Sequence, residues 1–286
     1  MELARRGGTA TAGVLYYGSA LRAADLSGIL DFYVLLDDVS AWPASWLARC
    51  ANRMLPPNVG YLEFRHDGAV LRAKYAVLST EQFAHRVVQA SLDTTIWARF
   101  CQPALLVWSR SDADRDAVGD LVGNAVQCAS VWAALLGPAR GTPEDFWRAL
   151  FARTYAAELR VETATRAQDI VGKAPARYAA MLTLGWRRSG IRFSTLDDKS
   201  LGTDIEPRER VRAGRAWQRR ARLGRPLNIV RLLKAAFTFE GATDYAVWKV
   251  ERHSGQRIEV SAWQRRHPLL AAPGLYWKLK RRGVLK

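Results

Sequence analysis

The pair Gly18-Ser19 closes the apolar run Gly13–Tyr17, and about a dozen residues later Asp31 sits inside a second apolar run, Ile29–Leu36. Both runs have the length and β-branched or aromatic content of buried strands. A glycine turn lets backbone N–H groups approach a polyphosphate, and a serine hydroxyl adds a phosphate contact. A carboxylate on the neighbouring strand can hold Mg²⁺, which bridges phosphate oxygens and stabilises charge on a leaving pyrophosphate. The layout suits nucleotidyl transfer. Sites of this kind use two carboxylates spaced two apart on one strand face. Here the positions flanking Asp31 at that spacing are Ile29 and Tyr33, so a second metal ligand has to come from Asp37 or Asp38 at the strand end, or from Glu63 on a later strand. Lys74, on a strand of its own, can pair with Asp31 or Glu63.

The elements that must position these groups form a mixed front half followed by helices. Trp42–Met54 has helical spacing of Trp42, Trp46 and Leu47, and Tyr61–Phe64 and Ala69–Leu78 read as strands joined by the turn His66-Asp67-Gly68. Ser79-Thr80-Glu81 opens a helix with a hydroxyl cap, and Pro103–Ser109 is a short apolar strand. Helical patterns then run through Val118–Leu136, Pro143–Leu159 and Ala174–Gly185. The pattern predicts an α+β fold. A catalytic domain spans residues 1–112, a helical domain 113–198 and a basic region 199–286, in which 199–226 is a polar linker or charged helix and Leu227–Phe239 an apolar helix.

Charge is distributed unevenly. Residues 1–185 carry 19 Lys and Arg against 18 Asp and Glu, whereas residues 186–286 carry 24 against 9, and the whole chain has a formal charge of +16. Such asymmetry implies an anionic partner for the back part, a membrane surface or a nucleic acid. The cysteines Cys50, Cys101 and Cys128 form no CxxC pair and have no histidine at ligand spacing, which argues against a zinc site or a disulfide framework. No secretory signal opens the sequence, and no run reaches about 18 apolar residues. The expectation is a cytoplasmic protein, peripheral on the inner membrane.

Taken in order, Tyr17-Gly18-Ser19, Leu30-Asp31-Phe32 with Asp37-Asp38, Ala41-Trp42 and Lys74-Tyr75-Ala76-Val77-Leu78-Ser79-Thr80 resemble the mitochondrial-type phosphatidate cytidylyltransferases, the translocator assembly and maintenance family. Further likeness lies at Arg99 with Pro103, and along Asn124–Arg160 with Pro143-Glu144-Asp145. It covers roughly residues 14–161. The ordered series is more specific than any one motif. The resemblance implies a nucleotidyltransferase domain with a helical, winged-helix-like domain, Mg²⁺ as cofactor, CTP and phosphatidic acid as substrates, and a peripheral place on an anionic membrane, with no stable nucleic-acid partner. Position by position, Tyr17, Gly18, Ser19 and Arg99 would bind the nucleotide, Asp31 and Lys74 would be catalytic, and Asp31 with Asp37, Asp38 or Glu63 would hold the metal. The chain departs from the family's YGSG at Ala20, from its AWH at Pro43 and from its Tyr-Tyr-Asn at Tyr61-Leu62-Glu63, so the histidine of AWH is no required base here.

For membrane contact the candidates are Arg231 and Lys234 in the apolar helix, and Trp277, Lys278, Lys280, Arg281 and Arg282 in the tail, an aromatic-plus-cation pairing suited to an interface. The competing readings are nucleotidyl transfer to RNA or to a small molecule, and a basic nucleic-acid-binding protein. Interleaved Arg and Trp in the back part would serve phosphate-backbone contacts, but no RNP-type strand or GXXG loop accompanies them.

Overall fold

The computed structural model describes residues 2–23, 28–157, 170–196 and 200–266, together with 270, 271, 274 and 277. The fold is α+β, and the chain divides into two compact units, Met1–Leu78 with Arg231–Lys286, and Ser79–Val230. The boundaries expected at residues 112 and 198 both fall inside the second unit. The helix Asp112–Leu136 packs against Trp97–Phe100 and Ala104–Ser109 as well as against Pro143–Ala157 and Pro175–Arg188, so no compositional seam at 112 becomes a structural one.

The first unit is built on four strands in the order β3-β4-β2-β1: β1 Thr11–Tyr17, β2 Ile29–Leu36, β3 Asn58–His66 and β4 Ala69–Ser79. β1 and β2 are antiparallel, with Tyr17 opposite Asp31 and Leu15 opposite Tyr33. β2 ends in four consecutive buried residues, Tyr33–Leu36, as its unbroken apolar run anticipates. The β3–β4 hairpin turns at Asp67-Gly68, both at positive φ, where a glycine carries no steric penalty. Tyr61 lies opposite Lys74 and Glu63 opposite Arg72. The expected helix at 42–54 begins only at Trp46, capped by the Ser45 side chain, because Val39–Ala41 forms a separate 3₁₀ turn capped by Asp38.

The second unit is mainly helical, and its core is aromatic. Trp97, Trp147, Trp186, Phe146 and Phe151 are fully buried. Two of these indoles pair Nε1 with a carbonyl, Trp147 donating to Tyr178 and Trp186 to Ser130, each at 2.8 Å, whereas Trp97 Nε1 has no partner among the described residues. The expected cap at Ser79 is realised as a reciprocal capping box with Gln82. A small antiparallel sheet of Arg140–Gly141, Leu201–Thr203 and Phe193–Thr195 was not anticipated from sequence.

Of the two readings of 199–226, the charged helix is the one formed, and it runs on through the expected apolar helix as one element, Pro207–Thr238. Part of the expected linker is buried: Arg220 stacks over the Trp132 ring at 4.4 Å and donates to the Ser91 carbonyl at 2.9 Å and to that of Gln89. An arginine stem packs as an apolar group while its planar head satisfies carbonyls, so an Arg-rich stretch need not be a solvated one. From Arg231 onward this helix belongs to the first unit, which then adds the helix Ala242–Ser254.

Candidate functional site

In the first unit a cavity of about 340 Å³ is lined by Ser19, Asp31 and Lys74 from the strand region and by Tyr245, Trp248 and Arg252 from the helix Ala242–Ser254. The turn that feeds it is tightly specified. Gly18 has φ of +98°, and a Cβ there would lie 2.8 Å from Asp31 Oδ2. A side chain at position 18 is therefore opposed by backbone conformation and by the carboxylate it would strike. Ser19 begins the short helix Ser19–Ala23 and is exposed at the cavity. Tyr17, opposite Asp31 in the β1–β2 register, sets its ring edge-on to Tyr33 with centroids 5.3 Å apart.

One face of the β3–β4 hairpin brings Lys74 to the cavity. Cross-strand neighbours share a face, so Tyr61, Glu63, Arg72 and Lys74 stand together. Tyr61 donates to Glu63 Oε1 at 2.6 Å, and Arg72 Nε donates to the same oxygen at 3.2 Å. Burial and then the Glu63 bond push the Tyr61 phenol well above its ordinary range. The helix Ala242–Ser254 lies against this face. Tyr245 meets Tyr61 edge-on at 5.6 Å, Lys74 Nζ sits 5.7 Å from the Tyr245 ring, and Arg72 and Arg252 lie 5.7 and 5.3 Å from the Trp248 ring. Burial, and then the charge of Asp31, raise the Tyr245 pKa.

A clasp fixes where this helix starts. Glu240 Oε2 accepts from Tyr75 Oη at 2.8 Å, Glu240 Oε1 accepts from Arg6, and Arg6 Nη1 donates to Tyr75 Oη at 2.9 Å. The Arg6 guanidinium lies 5.6 Å from both the Trp42 and Tyr75 rings. Tyr61 N donates to the Glu240 carbonyl at 2.8 Å, and Gly241 follows at φ of +75°, where a Cβ would lie 2.5 Å from the Tyr61 carbonyl oxygen.

Of the residues singled out from sequence, Ser19, Asp31 and Lys74 line one cavity, with Gly18 against Asp31 and Tyr17 opposite it. Asp37 and Asp38 do not join them. They lie beyond the far end of β2, about 20 Å from Asp31 at 3.3 Å per residue. Asp38 instead caps the Val39–Ala41 turn through Ser40 N, which, with Arg53 nearby at 3.6 Å, holds its carboxyl below the usual range. Glu63 is engaged by Tyr61 and Arg72 and is not among the cavity-lining residues. Arg99 belongs to the second unit, on the helix Trp97–Phe100, where Nη1 reaches the Thr95 carbonyl at 3.5 Å.

Arg231 and Lys234, both half-buried, bond to backbone within the first unit. Lys234 Nζ donates to the carbonyls of Leu55 and Pro57 at 2.6 Å each and to Asn58 Oδ1 at 3.1 Å, and Arg231 Nη2 reaches the Pro56 carbonyl at 3.3 Å. Prolines offer carbonyls without N–H groups, and these two cations satisfy them. The apolar residues on other faces of the helix stay exposed, among them Leu232, Leu233 and Phe237. Trp277 is exposed; Lys278, Lys280, Arg281 and Arg282 lie outside the described residues, as do residues 158–159 at the end of the expected helix Pro143–Leu159.

Sequence reasoning missed Tyr245, Trp248 and Arg252. The signal was present, since the spacing of three and then four residues puts all three on one helical face.

Among the described residues no group of three or more His, Cys, Asp or Glu side chains forms a metal cluster. Asp31 is the one carboxylate lining the cavity, so a cation held there would take a single carboxylate from the described residues. No helix among the described residues is long and apolar enough to cross a membrane.

No protein-family model matches the chain, and no curated protein matches it. Among solved structures, a nucleotidyltransferase-like protein from Exiguobacterium sibiricum aligns over 98% of this chain and 88% of its own, at 13% identity and a TM-score of 0.26. A score that low carries no correspondence between residues.

Proposed function

We propose that the chain is a nucleotidyltransferase that joins CTP to phosphatidic acid, giving CDP-diacylglycerol and pyrophosphate. The observation that carries the transferase reading is the convergence of Ser19, Asp31 and Lys74 on one cavity beside a glycine turn that admits no side chain. CTP and phosphatidic acid come from the resemblance of the ordered motifs at residues 14–161.

An oxygen of the lipid phosphate attacks the α-phosphorus of CTP in line, and the bond from that phosphorus to the pyrophosphate oxygen breaks. Because the phosphate is already a nucleophile, the chain has to supply position and charge rather than a strong base. Lys74 neutralises charge on the departing pyrophosphate, and the Ser19 hydroxyl donates to a phosphate oxygen. Asp31 would hold Mg²⁺, which would supply neutralisation across the triphosphate. Supporting a place at a lipid surface are the exposed side chains of Leu232, Leu233 and Phe237 and the cationic back part of the chain.

The test is pyrophosphate release from each of the four nucleoside triphosphates, with and without phosphatidic acid micelles. Release from CTP that depends on the lipid is the expected result. Equal use of ATP, or release that needs RNA in place of lipid, overturns this reading.

A further inference from the structure

The cations of the first unit are mostly committed. Arg6 is bound to Glu240, Arg72 to Glu63, and Arg265 Nε to Asp244 at 2.8 Å. Lys234 is spent on carbonyls. Arg252 differs. It lines the cavity that holds Asp31 and Lys74, is exposed, and lies 5.3 Å from the Trp248 ring, yet no described residue gives it a carboxylate. Its Nη1 is 3.8 Å from where a Cβ on Gly28 would stand, so the guanidinium rests against the backbone that enters β2. Stacking on an indole fixes the plane of the fork while leaving its N–H edge available.

We infer that Arg252, held by Trp248 and Gly28, is an anion anchor of this cavity that receives a phosphate group of a substrate. A planar fork presents paired N–H donors matching two oxygens of one phosphate, which a point charge such as Lys74 does not. Arg72 reinforces the arrangement from the same indole while its own charge is compensated by Glu63. The inference rests on the nucleotidyl-transfer reading only for what brings the phosphate. The nucleotide's terminal phosphates and a phosphomonoester acceptor share this chemistry.

The experiment is titration calorimetry of the full chain with three probes: pyrophosphate, CTP with Mg²⁺, and dihexanoyl phosphatidic acid below its micelle concentration. It compares the parent with Arg252→Gln, Arg252→Lys and, as a control, Arg265→Gln. Arg252→Gln should weaken at least one probe by about 10- to 100-fold, the order of a lost charge-assisted pair of hydrogen bonds. Arg252→Lys should recover only part of that loss, Arg265→Gln should bind as the parent does, and melting temperatures should agree. Loss confined to CTP and pyrophosphate assigns the anchor to the nucleotide; loss confined to the lipid assigns it to the acceptor. Unchanged binding of all three probes by Arg252→Gln overturns the inference, as does a parent that binds none of them. Weakened binding with no turnover of CTP by the parent leaves the anchor standing and removes the transferase reading instead.

Discussion

The larger of two cavities is not the better site. In the second unit a groove of about 870 Å³ is lined by Val87, Val131 and Leu135 together with polar side chains, among them Gln89, Asn124, Gln127, Asp204, Glu206 and Glu209. Its cation Arg192 binds Asp204 at 2.9 Å, and Cys128 in its wall is a buried thiol whose pKa burial pushes up to about 12. The first-unit cavity is less than half that volume, yet Asp31, Lys74 and Arg252 meet there beside a glycine turn that admits no side chain. The difference lies in the sign of the charge: the groove sets one cation, paired with Asp204, among three carboxylates, whereas the small cavity sets two cations beside one carboxylate, the balance that suits an anionic ligand. One unit invests in an aromatic core, the other in a face where cations rest on rings.

That contrast can be broken at each end. The largest effect expected is on stability, in the second unit. Trp147→Ala removes a fully buried indole and the partner of the Tyr178 carbonyl, and should cost about 3–5 kcal/mol in denaturant unfolding. If the loss is under about 1 kcal/mol, the aromatic core is not what holds this unit together. Next, Asp31→Asn should lower turnover about a hundredfold or more, the order of a lost transition-state electrostatic contact, with the melting temperature unchanged. Retained turnover at ordinary Mg²⁺ would move the chemistry out of the small cavity. The smallest effect sharpens the roles within it. Ser19→Ala should reduce kcat/KM by about 3- to 10-fold, as the loss of a neutral hydrogen bond does. A serine change more damaging than Asp31→Asn would point to covalent chemistry at the hydroxyl.

Legibility in the sequence followed contact range. β2 was readable to the residue because a run of eight largely apolar side chains bounded by polar ones has few other uses. The Gly18-Ser19 turn and Asp31 were readable because twelve residues of chain separate partners that pair in one hairpin. Lys74 was found from a strand and the motif around it. The second wall of the cavity was not, since Lys74 and Tyr245 are brought together by topology and no local pattern records that. Asp37 and Asp38 misled because nearness in sequence was taken for nearness in space along an extended strand. Arg231 and Lys234 read as snorkelling cations on an apolar helix, and their bonds to the carbonyls of residues 55–57 were out of reach of any local pattern because those partners lie some 175 residues earlier.

The clasp of Arg6, Tyr75 and Glu240 has a consequence for the order in which the molecule is made. Its members lie at positions 6, 75 and 240, so the N-terminal strands leave the ribosome long before the residue that closes the clasp. At 5–20 residues per second, the interval from Tyr75 to Glu240 is roughly 8–30 s. During that time the strands have neither Glu240 nor the helix that walls the cavity, while the Ser79–Val230 unit, contiguous in the chain, can fold on its own schedule. The nascent first unit is therefore an unfinished sheet with its cationic face uncovered, and the cavity becomes competent among the last events of synthesis.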